Sequence, residues 1–183
     1  HTDHDSMSWR VRMTTERMIM GHEGAGVVLA CGPGVDHVRP GARVLLNWAI
    51  PCGHYFQCTR GAENICEEKP TIPADRRRHA GRAIEASFGL GTMSTHAVVP
   101  RQAVVAVGDG VPFAVAAIMG CGVMTGFGSV VNAARVEAGA SVVVLGTGGV
   151  GLSVIQAAVH AGAARIIAID VNPDRLELAV RFG

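Results

Sequence analysis

Residues 141–170 read SVVVLGTGGVGLSVIQAAVHAGAARIIAID, and their order decides the fold class. Ser141 to Leu145 is a short run of mostly β-branched residues, so the pattern predicts a buried strand. Gly146-Thr147-Gly148-Gly149-Val150-Gly151 follows at once, and GLSVIQAAVHAG reads as a helix ending at Gly162. RIIAID (165–170) has the character of a second buried strand. NPDRLELAVRFG is then the next helix, with Asn172 as its N-cap and Pro173 at the first helical position. Strand, glycine turn, helix, strand and helix in that order predict a βαβ unit with parallel strands, and so an α/β fold class. Two parallel strands make no stable sheet alone, so further strands are expected beyond Gly183.

The glycine turn is also the first functional signal. G-x-G-x-x-G is a weak pattern by itself, but here it leaves a strand, opens a helix and has Asp170 at the end of the next strand. Gly146 permits the turn, and Gly148, with Gly149 and Val150 beside it, lets backbone amides approach a pyrophosphate. Gly151 allows close packing of helix on strand, and the helix N-terminus offers unpaired N–H groups and a positive dipole end. The Asp170 carboxylate suits the ribose hydroxyls of the adenosine and repels a 2′-phosphate, which favours NAD over NADP. A glycine-rich turn in some other α/β domain is the competing reading.

Upstream the texture differs. GAGVVLACG (24–32) and ARVLLNWAI (42–50) are β-rich around the turn chemistry of GPGVDHVRPG, and THAVVP (95–100) and AVVAVG (103–108) resume the β pattern. The polar stretch 67–86, with Arg76-Arg77-Arg78, reads as a solvated loop, with phosphate binding as the lesser alternative. PFAVAAIMG and TGFGSVVNAAR predict two helices broken by Gly120-Cys121-Gly122. The expected division is therefore a β-rich domain over 1–108 and a nucleotide-binding domain starting at 109 and running through 183.

Composition excludes several classes. Hydrophobic residues make 49% of the 183 and charged residues 17%, a balance that forms a core rather than a disordered chain. A formal charge of +1 gives no electrostatic reason for a nucleic-acid or anionic-membrane partner. No stretch is expected to reach the ~20 apolar residues of a membrane span, and HTDHDSMSWR has no signal core. The five cysteines, Cys31, Cys52, Cys58, Cys66 and Cys121, are an odd number without secretory context. Metal binding or free thiols are expected before disulfides, in a soluble, cytoplasmic protein.

Two groups of residues invite a metal. One is His22, in Gly21-His22-Glu23-Gly24, with Cys121 far downstream; by residue type alone, a packed histidine and a small buried hydrophobe explain them as well. The other is Cys52-Gly53-His54-Tyr55-Phe56-Gln57-Cys58 with Cys66. Here the sequence resembles a known family. GHEGAGVV, CG…C…GAENIC, MGCGVMTGFGSVVNAA and VVLGTGGVGLSVIQ look like the zinc-containing medium-chain alcohol dehydrogenases, especially the branch with glutathione- or mycothiol-linked formaldehyde dehydrogenases. The resemblance runs nearly end to end and is weakest at 6–20 and 67–86.

That resemblance implies a GroES-like catalytic domain followed by the first part of a Rossmann domain. It implies a catalytic zinc held by His22, Cys121 and a cysteine immediately before His1, with one position open to water or substrate. Thr2 matches the proton-relaying hydroxyl, Asp3 the carboxylate that orients the His22 imidazole, and Glu23 a carboxylate beside the metal. His1 matches a contact to the cofactor phosphates, Thr125 one to the nicotinamide and Arg175 one to the adenosine ribose. Helix caps and solvated charges are the plainer readings of Thr2, Thr125, Glu23 and Arg175.

The family closes a structural zinc with four cysteines; here Tyr55 occupies the second place, leaving Cys52, Cys58 and Cys66. Either His54 supplies a nitrogen, or the site is weak or empty. The implied reaction is zinc-assisted hydride transfer from a primary or secondary alcohol to NAD, with an S-(hydroxymethyl)thiol as the alternative substrate. Implied partners are a small alcohol or aldehyde and further copies of the chain, with neither nucleic acid nor membrane. A rival from another class is a non-catalytic binding fragment: without the residue before His1 and most of the nucleotide sheet, this chain alone is expected to be inactive.

Overall fold

The computed structural model describes residues 2–8, 17–68, 70, 72 and 77–183, and its contacts cluster into two units, His1–Gly120 and Cys121–Gly183. The first unit opens with α1 (Thr2–Met7), then β1 (Met18–Ile19), β2 (Gly24–Val27) and β3 (Arg43–Leu46). After α2 (Phe56–Thr59) come β4 (Arg78–His79), β5 (Arg82–Ala83), β6 (Glu85–Ala86), β7 (Val104–Ala106) and α3 (Phe113–Ile118). The sheet β2-β3-β7 is antiparallel throughout, with Ala25 opposite Leu45 and Leu45 opposite Val105. Beside it, β1 pairs β6 in parallel and β4 pairs β5 as a hairpin.

The core of this unit is Ile50, Leu90 and Ala103, flanked by Leu46, Trp48 and Val99. Burying Ile50 and Leu90 contributes roughly 1.5–3 kcal/mol each. Two expectations are corrected here. Residues 95–100 form no strand, because Ser94 Oγ donates to the carbonyls of Gly91 and His96 and turns the chain there. Within 67–86 most described residues are exposed as expected, but 78–86 carries β4, β5 and β6, and Arg76 lies outside the described residues. Arg77 is half-buried and donates to the carbonyls of Ile72, Gly89 and Val98, so it ties loops together rather than waiting for a phosphate. Desolvation lowers its pKa.

The second unit contains α4 (Met124–Gly128), β8 (Ser141–Leu145), α5 (Gly149–His160), β9 (Arg165–Ile169) and α6 (Pro173–Phe182). β8 and β9 are parallel, with Ser141 opposite Arg165 and Leu145 opposite Ile169. Val144, Ile155 and Ala179 are its core. The strands are not buried on both faces as expected. Val142, Val144, Ile166 and Ala168 pack under the helices, while Val143, Leu145, Ile167 and Ile169 are exposed. The two-residue pleat sends alternate side chains to opposite faces, and the described elements cover only one. Asn172 caps α6 as expected, accepting from the Asp174 N–H at 2.9 Å, with Pro173 in its first turn.

The helix break expected at Gly120-Cys121-Gly122 does not occur. Helical structure runs from Phe113 to Ala134, 22 residues, with π-type turns at Met119–Val123 and Ser129–Ala134. Glycine weakens a helix interior by only about 1 kcal/mol, and close packing requires it here. A Cβ on Gly120 would lie 2.0 Å from the Leu46 carbonyl oxygen, and one on Gly126 2.5 Å from Ser153 Cβ. By length and composition this helix could cross a membrane, contrary to the expectation that no stretch is long and apolar enough.

Candidate metal and dinucleotide sites

The turn at Gly21 sets the first site. Its φ is +97°, and a Cβ there would fall 2.5 Å from Thr92 Oγ1 and 2.6 Å from the Met93 nitrogen, so only glycine fits. The next residue, His22, is buried, and its Nδ1 lies 2.6 Å from Asp3 Oδ2. The other oxygen of Asp3 accepts the Gly21 N–H at 2.9 Å. A carboxylate on Nδ1 holds the proton there and leaves Nε2 as the lone-pair nitrogen, the state in which histidine binds a metal. Asp3 and His22 therefore meet as the resemblance implied.

One aromatic ring packs on that imidazole, with a second behind it. Phe88 lies 4.8 Å from the His22 ring, centroid to centroid, and Trp48 stands edge-on to Phe88 at 5.2 Å. Phe88 has φ +52°, a left-handed conformation that costs a non-glycine residue about 1–3 kcal/mol. Neither ring was singled out by sequence. Nothing local marks them, since the fold alone brings residue 88 to residue 22. Thr2 begins α1 and is exposed, as is Glu23. His1 lies outside the described residues.

The second unit carries the remaining expected residues. Cys121 is half-buried within the first π-type turn, and Thr125 is exposed on α4 with its carbonyl accepting from Ser129 Oγ. An anchored imidazole and a reduced thiol are donors that zinc takes.

The glycine loop separates its roles clearly. Gly146 has φ +87°, which supports the turn. A Cβ on Gly151 would lie 2.0 Å from the Gly146 carbonyl oxygen, so α5 packs on the loop only with glycine there. A Cβ on Gly148 or Gly149 would meet nothing within 4 Å, and Val150 is exposed, leaving the N-terminus of α5 approachable. Asp170 is more committed than its motif suggests. Its Oδ2 accepts the Thr147 N–H at 2.7 Å and the Thr147 hydroxyl at 3.1 Å, and its Oδ1 accepts the Asn172 N–H at 2.9 Å. Arg175 Nη1 is 3.8 Å away. The Asn172 and Thr147 amides, more than Arg175, hold the Asp170 pKa below its usual range against desolvation. Asp170 thus braces the glycine loop with a side chain that is itself buried.

Cys52, Cys58 and Cys66 come together around α2, with their sulfurs all within 4.8 Å of one another. Cys52 and Cys58 sulfurs are 3.8 Å apart, and Cys58 and Cys66 are buried. Desolvation raises the Cys52 thiol, but N–H groups of His54 and Tyr55 and the neighbouring thiols outweigh it and bring its pKa down to about 7. Burial chiefly pushes Cys58 up. The Tyr55 hydroxyl donates to Glu67 at 3.3 Å, and the Glu67 charge raises its pKa. His54 groups with Cys52 and Glu68 instead of completing the three sulfurs. A four-thiolate zinc therefore does not fit these residues. Cys31 stands apart, its thiol 3.6 Å from the Val38 carbonyl.

Residues 1–109 match the family described as alcohol dehydrogenase GroES-like domain. The whole chain is 37% identical, over 190 residues, to alcohol dehydrogenase B of Mycobacterium tuberculosis, covering 51% of that protein. It is 38% identical over 192 residues to S-(hydroxymethyl)glutathione dehydrogenase of Paracoccus denitrificans, again covering 51%. Among solved structures, benzyl alcohol dehydrogenase from Acinetobacter calcoaceticus superposes with a TM-score of 0.88 at 32% identity, over 100% of this chain and 51% of that one. The chain spans about half the length of the curated relatives it matches.

Proposed function

The chain belongs to the alcohol dehydrogenase family that carries the GroES-like domain, and on that premise we propose that it serves a zinc-dependent, NAD-linked alcohol dehydrogenase. The reading rests above all on the 2.6 Å contact of Asp3 with the buried His22, an imidazole prepared to donate Nε2 to a metal. In this reading His22 and Cys121 are zinc ligands, and the second unit is the start of a Rossmann domain. Bound zinc supplies Lewis-acid polarisation of the alcohol oxygen, and NAD supplies the acceptor for the hydride.

The chain's own residues do the rest. Asp3 fixes the tautomer and direction of His22, and Thr2, next to it on α1, passes the alcohol proton toward solvent. Glu23 adds negative charge beside the imidazole. Phe88, backed by Trp48, offers an apolar surface next to His22 that favours an apolar carbon there. The open approach at Gly148 and Gly149 and the α5 N-terminus receive the pyrophosphate, with Val150 beside them. Asp170 and Arg175 meet the adenosine ribose, His1 a phosphate and Thr125 the nicotinamide. The protein is proposed to be cytoplasmic and homo-oligomeric, without membrane or nucleic-acid partners. Helix Phe113–Ala134 packs against protein through its buried Ala116, Gly120, Gly126 and Val130.

A hydroxymethyl-thiol substrate is the second reading, favoured by the Paracoccus denitrificans relative. The test takes the full-length protein, strips zinc with a chelator and follows NAD reduction with simple alcohols and hydroxymethyl-thiols side by side. Activity should vanish and return with zinc; undiminished turnover after stripping overturns the proposal. The better substrate class decides between the two readings.

A further inference from the structure

We propose that Phe88 is a specificity-determining residue, a ring held against His22 that selects alcohols carrying an aryl group over hydroxymethyl-thiols with charged tails. This selectivity presupposes the dehydrogenase reading and gives it a substrate class. Phe88 is strained where it stands. Its backbone is left-handed, φ 52° and ψ 25°, a conformation that a β-carbon disfavours and glycine adopts freely. Such strain persists only where the surroundings over-determine it. Here they do. Ser87 and Leu90 are buried, and the Ser87 carbonyl accepts the Leu90 N–H at 2.9 Å and the Gly91 N–H at 3.2 Å. Arg77 Nη2 donates to the Gly89 carbonyl at 3.0 Å. The turn is fixed at both ends, and glycine at position 88 would fill it without strain.

What phenylalanine adds there is a surface. Core burial does not account for it, since Phe88 is 43% exposed while Leu90, two residues on, is 1% exposed. The ring packs on the His22 imidazole at 4.8 Å, tilted by 41°, with Trp48 edge-on to it at 5.2 Å. Met93 is exposed as well, and its Cγ lies 3.0 Å from where a Cβ on Gly21 would stand. Thus an aromatic ring and a thioether chain both flank the Gly21-His22 step. An aryl group suits this pair, because rings associate edge-to-face or offset at about 4.5–7 Å and sulfur packs favourably on them. A charged peptide tail gains nothing from either and loses water by lying there.

The experiment uses the full-length, zinc-loaded protein with 2-phenylethanol, ethanol and S-(hydroxymethyl)glutathione. The first two differ only by the phenyl group. Their kcat/KM ratio, measured on one preparation, is insensitive to any loss of folded or metal-loaded protein. Phe88→Gly should lower the 2-phenylethanol to ethanol ratio ~10-fold, and Phe88→Leu should lower it about threefold. Without NAD, so that no turnover intervenes, an NMR titration should show the Kd of 2-phenylethanol rising ~10-fold in Phe88→Gly. Should Phe88→Gly fail to fold, Phe88→Leu decides by both measurements. An unmoved ratio or an unmoved Kd overturns the proposal. So does native protein that turns over S-(hydroxymethyl)glutathione with a higher kcat/KM than 2-phenylethanol. Turnover that survives zinc stripping, or no turnover of any alcohol, defeats the dehydrogenase reading instead, and the NMR titration then still decides whether Phe88 takes an aryl ligand.

Discussion

Replacing Asp3 by asparagine tests the proposed metal site at the carboxylate that holds its imidazole. The carboxylate holds His22 Nδ1 at 2.6 Å with one oxygen and the Gly21 amide at 2.9 Å with the other. Asparagine keeps the shape but has only one oxygen. If that oxygen keeps the Gly21 amide, the NH₂ group faces Nδ1 and forces the proton to Nε2, the atom zinc needs. If it turns to His22, the Gly21 amide faces a donor. A hydrogen bond to a charged group is worth about 1.5–3 kcal/mol, so zinc affinity should fall about 10- to 150-fold at 1.4 kcal/mol per decade. Chelator competition on the full-length protein at neutral pH measures it, with metal-free melting curves to show the fold intact. Affinity within twofold of the native protein, or equal zinc retention by His22→Ala, refutes the assignment.

Other substitutions probe the second unit and the unit surfaces. Asp170→Ser should raise kcat/KM for NADP relative to NAD by ~10-fold or more, since the repelling charge is gone; steady-state comparison of both cofactors checks it. Because Asn172 and Thr147 lower the Asp170 pKa below its usual 3.8, the stability it contributes is complete above about pH 4 and drains as pH falls through the lowered value. Asp170→Asn should therefore flatten the acid limb of thermal stability below about pH 4. Gly151→Ala forces a Cβ against the Gly146 carbonyl oxygen and should cost about 1–3 kcal/mol in denaturant unfolding. The 183-residue chain should self-associate through the exposed Val143, Leu145, Ile167 and Ile169. Light scattering tests this, and Leu145→Lys with Ile167→Lys should suppress it.

Much of the second unit was legible because its signals are local. Asn172-Pro173 starts α6 whatever surrounds it, and Gly146 and Gly151 answer to their own backbone and the next turn. The helix through Gly120 was not legible, because glycine is a breaker in water and a necessity where the Leu46 carbonyl comes close. Arg77 misled for a similar reason. An arginine run reads as solvated charge until three carbonyls converge on one guanidinium.

Residue order by itself determined the strand–turn–helix series, the capped start of α6 and the expectation of NAD at Asp170. Each depends on neighbours a few bonds away or on simple residue identity. Tertiary structure alone decided that Asp3 grips His22, that Phe88 lies against that imidazole, and that His54 groups with Cys52 and Glu68 rather than with all three sulfurs. Such contacts join residues far apart in the chain or select among rotamers. Only packing of the whole unit fixes those choices.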